Sequence, residues 1–190
     1  MAIHLSRQPV SIATVWFANA AAIAVLACRP ARRWAELLGA VVAGNLGANL
    51  AYGDPLGVSA TFLPANAIEV LVGACLLRRG GAIDHFTDGA GPFMRVLLTG
   101  AVWPPLAGAT IGAATIHWHG YARFTDVWDD WYVGSVLGSI AMLPFALAAL
   151  KRGWPLWAAQ VFTLPTAAFA LLCAGVALFA MTWLQPRSST

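Results

Sequence analysis

Long apolar stretches, separated by short polar segments, make up most of this chain. A helix that crosses a membrane needs about 20 mostly apolar residues. Six stretches meet that requirement, namely Val10–Cys28, Trp34–Tyr52, Val58–Leu77, Phe93–Ile116, Trp131–Leu150 and Leu156–Leu184. The pattern predicts an all-α, polytopic transmembrane helix bundle with about six spanning helices, forming a single integral membrane domain over residues 1–190.

Prolines interrupt four of these stretches, at Pro64, Pro104–Pro105, Pro144 and Pro165. A proline removes one backbone N–H, but membrane helices tolerate this when neighbouring groups satisfy the freed carbonyls. We therefore expect several kinked helices. The sequence Trp103-Pro104-Pro105 is expected to kink or break the fourth one.

The composition supports a bilayer environment, since 59% of the residues are hydrophobic, only 10% are charged, and the mean hydropathy is +0.71. Soluble domains carry about 25% charged residues. The isoelectric point near 9.1 does not indicate nucleic-acid binding, because the basic residues are scattered at segment ends. The three cysteines lie within apolar segments and indicate neither a disulfide framework nor a metal cluster.

Basic residues follow the first, third and fifth stretches, at Arg29, Arg32, Arg33, Arg78, Arg79, Lys151 and Arg152. The positive-inside rule places these loops in the cytoplasm and makes the chain a multi-pass membrane protein. Both termini then face outward. The alternative, a signal peptide cleaved near Cys28, would leave the first basic loop outside, against the pattern of the other two.

Asn66 and Glu69 lie inside the third stretch and share one helix face, because they are three residues apart. A carboxylate inside a membrane costs roughly 2.5 kcal/mol or more unless a polar partner, water or a proton relieves it. Glu69 is therefore a candidate functional residue. Arg95, near the start of the fourth stretch, either reaches Glu69 or extends to the membrane surface, and we favour the second.

Three further asparagines, Asn19, Asn45 and Asn49, lie in the first two stretches. The simplest interpretation is hydrogen bonding between helices, worth ~0.6 kcal/mol per contact. Asn19 and Asn66 occupy matching positions in similar segments, which is compatible with a duplicated helix pair. Two GxxxG pairs, Gly108/Gly112 and Gly134/Gly138, are common devices for close helix packing.

The fourth loop combines aromatic and charged residues around His117-Trp118-His119 and Asp126 to Tyr132. A preference of Trp and Tyr for the membrane interface explains most of this cluster. The two histidines beside aspartates are the pattern of a divalent metal site, but no cysteine or third histidine lies nearby. We predict no metal site and no cofactor.

The chain resembles the membrane-associated sensor (MASE) family, first type, of bacterial integral-membrane input domains. The resemblance runs from about Val10 to Leu147 and depends on three groups of residues. These are Val15-Trp16-Phe17-Ala18-Asn19-Ala20; Asn66-x-x-Glu69 with Gly73-Ala74 and Leu77-Arg78-Arg79; and Trp128-x-x-Trp131 with Gly134, Leu137-Gly138 and Leu143-Pro144.

The resemblance implies a signal-sensing domain of the kind coupled to histidine kinases or cyclic-di-GMP enzymes, located in the cytoplasmic (inner) membrane of a bacterium. Its expected partners are the bilayer, an unknown small ligand or membrane stimulus, and a cytoplasmic kinase or cyclase. No output domain follows Thr190, and six stretches fall short of the usual eight or so, so the chain has the features of a fragment or a stand-alone derivative. The proposed signal-sensing residues are Trp16, Asn19, Asn45, Asn49, Asn66, Glu69, Asp129 and Trp131.

Two other functions fit parts of the pattern. Six helices in 190 residues match the size of a substrate-binding component of a membrane transporter. An intramembrane enzyme would use Glu69 or the histidine pair, but no catalytic spacing is evident. We therefore predict a sensor that is not itself an enzyme.

Overall fold

The computed structural model describes residues 15–152, and helices form nearly all of that part. In chain order they are α1 (Ala18–Ala27), a 3₁₀ turn (Ala31–Arg33), α2 (Trp34–Ala51), α3 (Leu56–Arg79), α4 (Ala82–His85), α5 (Ala90–Leu97), a π-helical turn (Leu98–Val102), α6 (Trp103–Trp118) and α7 (Phe124–Arg152). No strand occurs in this range. The predicted all-α class is confirmed.

Three helical segments are long and apolar enough to cross a membrane within the described residues: Leu56–Arg79, Ala90–Trp118 and Phe124–Lys151. They correspond to the third, fourth and fifth predicted stretches. The second stretch forms α2, but Glu36 and its two asparagines lower its hydropathy, and it does not qualify. The described part of the first stretch contains the ten-residue α1. The predicted count of about six is therefore slightly high, and the sixth stretch lies outside the described residues.

Helix α3 is the central element, since it packs extensively against α6 and also contacts α1 and α2. It begins after Pro55, whose backbone is extended, and it runs through Pro64. Arg78 and Arg79 occupy its last turn, where cations interact favourably with the helix dipole. Gly81 then adopts a positive φ of 58°, which favours glycine and turns the chain towards α4.

The predicted interruption before Pro104 and Pro105 takes the form of the π-helical turn Leu98–Val102. The two prolines occupy the first turn of α6, where a missing N–H costs least. They provide no donors for the carbonyls one turn earlier, which explains the irregular geometry there. Helices α5 and α6 nevertheless continue as one membrane-length segment.

Two apolar clusters fill the described part of the bundle. One includes Ile23, Leu26, Val70, Leu77 and Leu143. The second is made by residues of α3, α6 and α7 that include Phe62, Ala65, Ala109, Ala113 and Trp131. Along α3, Asn66 and Glu69 lie between the residues of the two clusters.

Candidate functional site

Glu69 is the centre of a buried polar group. Its side chain has no exposed surface, and it lies near the middle of α3. The indole Nε1 of Trp131 donates to Glu69 Oε2 at 3.4 Å, and Ser135 Oγ donates to the same oxygen at 3.3 Å. Since Trp131 and Ser135 are one turn apart on α7, a single face of that helix holds the carboxyl group.

Asn19 joins α1 to the same group. Its Nδ2 donates to Asn66 Oδ1 over 2.8 Å, and Asn66 lies one turn before Glu69 on α3. Both asparagines are buried. Three helices that are distant in sequence therefore meet through these five side chains, which we call the polar centre: Asn19, Asn66, Glu69, Trp131 and Ser135.

The polar centre retains unused hydrogen-bonding capacity. Within the described part of the chain, Glu69 Oε1 and Asn19 Oδ1 are buried and have no hydrogen-bond partner. An unpaired buried polar atom costs about 1–3 kcal/mol. The centre is therefore not at its most stable in this arrangement, and a polar group that reached these atoms would stabilise it.

Glycines give the centre its space. A Cβ atom at Gly108 on α6 would collide with the Glu69 carboxyl group, and one at Gly112 would lie 2.7 Å from the Trp131 ring. Phe62 packs against the same ring edge-to-face, with centroids 5.6 Å apart. The Gly108/Gly112 pair thus allows close packing, as predicted, and its surface accommodates the polar centre.

The second GxxxG pair, Gly134/Gly138, lies against the segment before α1. The main-chain N–H of Trp16 donates to the Gly134 carbonyl at 3.2 Å, and a Cβ at Gly138 would lie 2.6 Å from the Trp16 carbonyl carbon. The backbone of this segment therefore packs directly on α7. A side chain at position 138 would prevent that approach.

The structure brings together four of the eight proposed signal-sensing residues, Asn19, Asn66, Glu69 and Trp131. Trp16 and Asn45 line a neighbouring cavity. Asn49 is buried, and its main-chain carbonyl accepts from the N–H groups of Tyr52 and Asp54. Asp129 is exposed on α7 and makes none of the hydrogen bonds of the polar centre.

Ser135 and Gly108 were not among the proposed residues, although both touch Glu69. A signal for Ser135 was present, because it follows Trp131 by four residues and shares its helix face. For Gly108 the GxxxG pair predicted close packing but did not identify the residue packed against it.

Two other predictions concern groups outside the polar centre. Arg95 is exposed on α5, and the hydrogen-bond donors to Glu69 come instead from α7. His117 and His119 each contact a nearby backbone carbonyl, of Ala122 and Thr115 respectively. Among the described residues no group of three or more His, Cys, Asp or Glu side chains could hold a metal ion.

At one end of the bundle, basic residues connect neighbouring elements, and we call this region the basic end. Arg78 donates to the Arg29 carbonyl at 3.3 Å and lies 5.3 Å from the centre of the Trp34 ring. Trp34 in turn donates to the Leu26 carbonyl at 2.8 Å. Lys151, at the end of α7, forms an ion pair with Asp84 of α4.

The ion pair between Lys151 and Asp84 leads to a prediction about the titration of Asp84. The hydrogen bond and charge of Lys151 hold the pKa of Asp84 below its ordinary value. Any stabilisation from this pair is therefore present at neutral pH and is lost as the pH falls through the lowered pKa. In a carbon-13 NMR titration, Asp84 is expected to titrate below ordinary aspartates and to return towards them in Lys151→Met. Identical curves for the two proteins would contradict the assignment, and Asp84→Asn identifies the resonance.

The fold and the site define a helical integral membrane domain that holds a buried carboxyl group between helices from distant parts of the chain. The chain belongs to the MASE1 family, whose model matches residues 1–190. MASE1 is a membrane sensor domain, so the protein is a membrane-associated sensor domain.

Among curated proteins, the chain is similar to the probable diguanylate cyclase DgcE of Escherichia coli (strain K12). The two are 22% identical over 145 residues, which is 76% of this chain but only 13% of DgcE. The matched region is thus a small part of that relative. No solved structure matches the chain.

Proposed function

We propose that this chain is the input domain of a bacterial signalling system, spanning the inner membrane several times, and that it senses through the polar centre. It performs no catalysis itself. The observation that carries the proposal is the fully buried Glu69, whose Oε2 accepts hydrogen bonds from two side chains of α7. A buried ionisable group within a membrane segment is by default a functional-site hypothesis.

The contacts of Glu69 suggest how a stimulus would act. Its hydrogen bonds to Trp131 and Ser135 are long, at 3.4 and 3.3 Å, and Glu69 Oε1 has no partner within the described residues. A stimulus that offers Glu69 a better partner would weaken its hold on α7. Because packed helices adopt discrete arrangements, a change in one buried contact shifts the population between two packings.

The same two helices connect the polar centre to the basic end. Helix α3 continues from Glu69 to Arg78, which contacts Trp34 and the Arg29 carbonyl. Helix α7 continues from Ser135 to Lys151, which pairs with Asp84. A displacement of α7 against α3 would change the Lys151–Asp84 pair. By the positive-inside rule this end faces the cytoplasm, where an output domain or partner would act.

Cyclic-di-GMP signalling is the output that we propose. DgcE, to which the chain is similar, is a probable diguanylate cyclase. Other members of the family are coupled to histidine kinases according to the resemblance described above, so a kinase is the second candidate partner. The stimulus itself reaches the domain from the membrane or from the outer side.

The proposal is tested by placing this chain in DgcE in place of the region that aligns with it and measuring cyclic-di-GMP in cells. Glu69→Gln keeps the size of the side chain, and its one remaining oxygen can still accept from Trp131 and Ser135, as Glu69 Oε2 does. Its N–H₂ group then replaces Oε1 and cannot accept a hydrogen bond from a stimulus. We expect the level to change at least threefold, since losing about one hydrogen bond is worth ~0.5–1.5 kcal/mol.

Glu36 provides the matched control, because it is the other glutamate of the chain and is exposed on α2. Glu36→Gln should leave the cyclic-di-GMP level unchanged. Both variants are first checked for equal abundance in the membrane fraction. If Glu69→Gln and Glu36→Gln behave alike, the polar centre is structural and the proposal fails.

A further inference from the structure

A cavity of about 470 Å³ lies beside the polar centre, between the segment before α1, α1 itself and α2. Its volume falls within the ~300–1,000 Å³ of typical small-molecule sites. Trp16, Phe17 and Tyr52 form aromatic walls, and Val41 and Ala48 add apolar surface. Tyr52 is followed by the loop without basic residues, so the cavity belongs to the outer half of the membrane by the positive-inside rule.

The lining of the cavity offers few polar groups to a ligand. None of its described lining residues is charged. Asn45 supplies its side-chain amide and is only 5% exposed. In the described structure this amide makes no hydrogen bond. Its polar atoms are not completely enclosed by protein, so they face open space. An amide in this setting favours an occupant that brings a hydrogen-bonding group.

We propose that this cavity binds an uncharged, mostly apolar ring compound that presents one carbonyl or hydroxyl group to Asn45. Flat aromatic walls favour rings through stacking and edge-to-face contacts. A charged ligand would lose its hydration without a compensating charge among the lining residues. A lipid acyl chain would fill the volume but leave the Asn45 amide unpaired.

The location of the cavity connects a ligand to the polar centre, so this inference deepens the proposed function and rests on it. Ala18 and Ala22 line the cavity from α1, and Asn19, between them, is hydrogen bonded to Asn66. Trp16 forms a wall, and its main chain packs on Gly134 and Gly138 of α7. A ligand that moves these walls therefore acts on both α3 and α7.

Photolabelling of the full chain in membrane vesicles tests the site, with benzophenone as the probe. Benzophenone is uncharged, has two rings and one carbonyl, and inserts into nearby C–H bonds on irradiation. We expect saturable labelling of peptides covering residues 15–22 and 41–52, measured by mass spectrometry. Labelling of the exposed apolar face of α7, which includes Val133, Leu137 and Ile140, provides the background from dissolved probe.

Two glycines of α2 provide a matched pair of variants. Gly44 lines the cavity and Gly47 does not, and an added Cβ meets no atom within 4 Å at either position. Gly44→Trp should abolish the labelling above background, whereas Gly47→Trp should preserve it. Asn45→Leu should raise the half-saturating concentration about tenfold, in line with the loss of one hydrogen bond. The carboxylate analogue 4-benzoylbenzoate should give at least tenfold less cavity labelling relative to background.

Equal labelling of the cavity and the α7 face, or equal labelling in Gly44→Trp and Gly47→Trp, would overturn the site. Loss in Gly44→Trp without an effect of Asn45→Leu would show an apolar occupant such as an acyl chain and would overturn the ligand class. The labelling needs no signalling output. A failure here therefore leaves the Glu69→Gln result intact, and the reverse also holds.

Discussion

Replacing Gly138 with valine is expected to destabilise the folded domain by about 3 kcal/mol, the upper end of the range for overpacked sites. The new side chain would meet main-chain atoms of Trp16, including the carbonyl carbon at 2.6 Å from the added Cβ. A backbone cannot rotate away as a side chain can. The Trp16 segment is also tied to α7 by its hydrogen bond to the Gly134 carbonyl, so the whole segment must move.

The measurement is the free energy of unfolding in mixed micelles by denaturing-detergent titration. Gly47→Val is the control, since Gly47 also lies inside a helix but has no atom within 4 Å of an added Cβ. Its stability should change by less than about 1 kcal/mol, as expected for a surface position. Similar losses in both variants would show that helix propensity, rather than contact with Trp16, is responsible.

Replacing Gly108 with alanine is expected to expel the Glu69 carboxyl group from the polar centre. The added methyl would overlap Glu69 Oε2 and would lie 3.0 Å from Glu69 Cβ and 3.1 Å from its carboxyl carbon. Rotation of the carboxyl group alone cannot relieve three contacts along the side chain. We expect a loss of about 2 kcal/mol, from overpacking and from the weakened bonds to Trp131 and Ser135.

A double-mutant cycle with Glu69→Ala separates the two causes. Glu69→Ala removes the carboxyl group, so Gly108→Ala should cost at least about 1 kcal/mol less in that background, as residues in direct contact are coupled. The Trp131 indole N–H resonance should shift in Gly108→Ala, since Trp131 donates to Glu69 in the wild type. Additive losses within about 0.5 kcal/mol would show that Gly108 and Glu69 do not interact.

Local sequence patterns were sufficient to predict the positions of most of the described helices. The stretch predicted at Val58–Leu77 is α3, Leu56–Arg79, and the stretch predicted at Trp131–Leu150 lies within α7, Phe124–Arg152. Apolar length and flanking basic residues act locally, so they can be recognised along the chain. The π-helical turn before Pro104 follows from the missing N–H of proline, which is also a local property.

The candidate site could be predicted only in part. Asn66 and Glu69 were found because helical geometry places residues three apart on one face. The match between the segments around Asn19 and Asn66 indicated a relation, and the structure shows a hydrogen bond between the two side chains. The aromatic loop suggested Asp129, but this carboxylate is exposed on α7, while Trp131 two residues later points to Glu69.

By itself, the sequence determined that this protein is a helical membrane domain, that it belongs among membrane sensors, and that Glu69 lies within an apolar segment. The tertiary structure decided which faces meet: Trp131 and Ser135 on Glu69, Gly108 beneath its carboxyl group, and Trp16 on Gly138. Periodicity fixes the face of a single helix, because it depends on neighbours three or four residues away. The pairing of faces depends on packing between residues 39 or more positions apart, as for Glu69 and Gly108 (108 − 69 = 39), which no local pattern records.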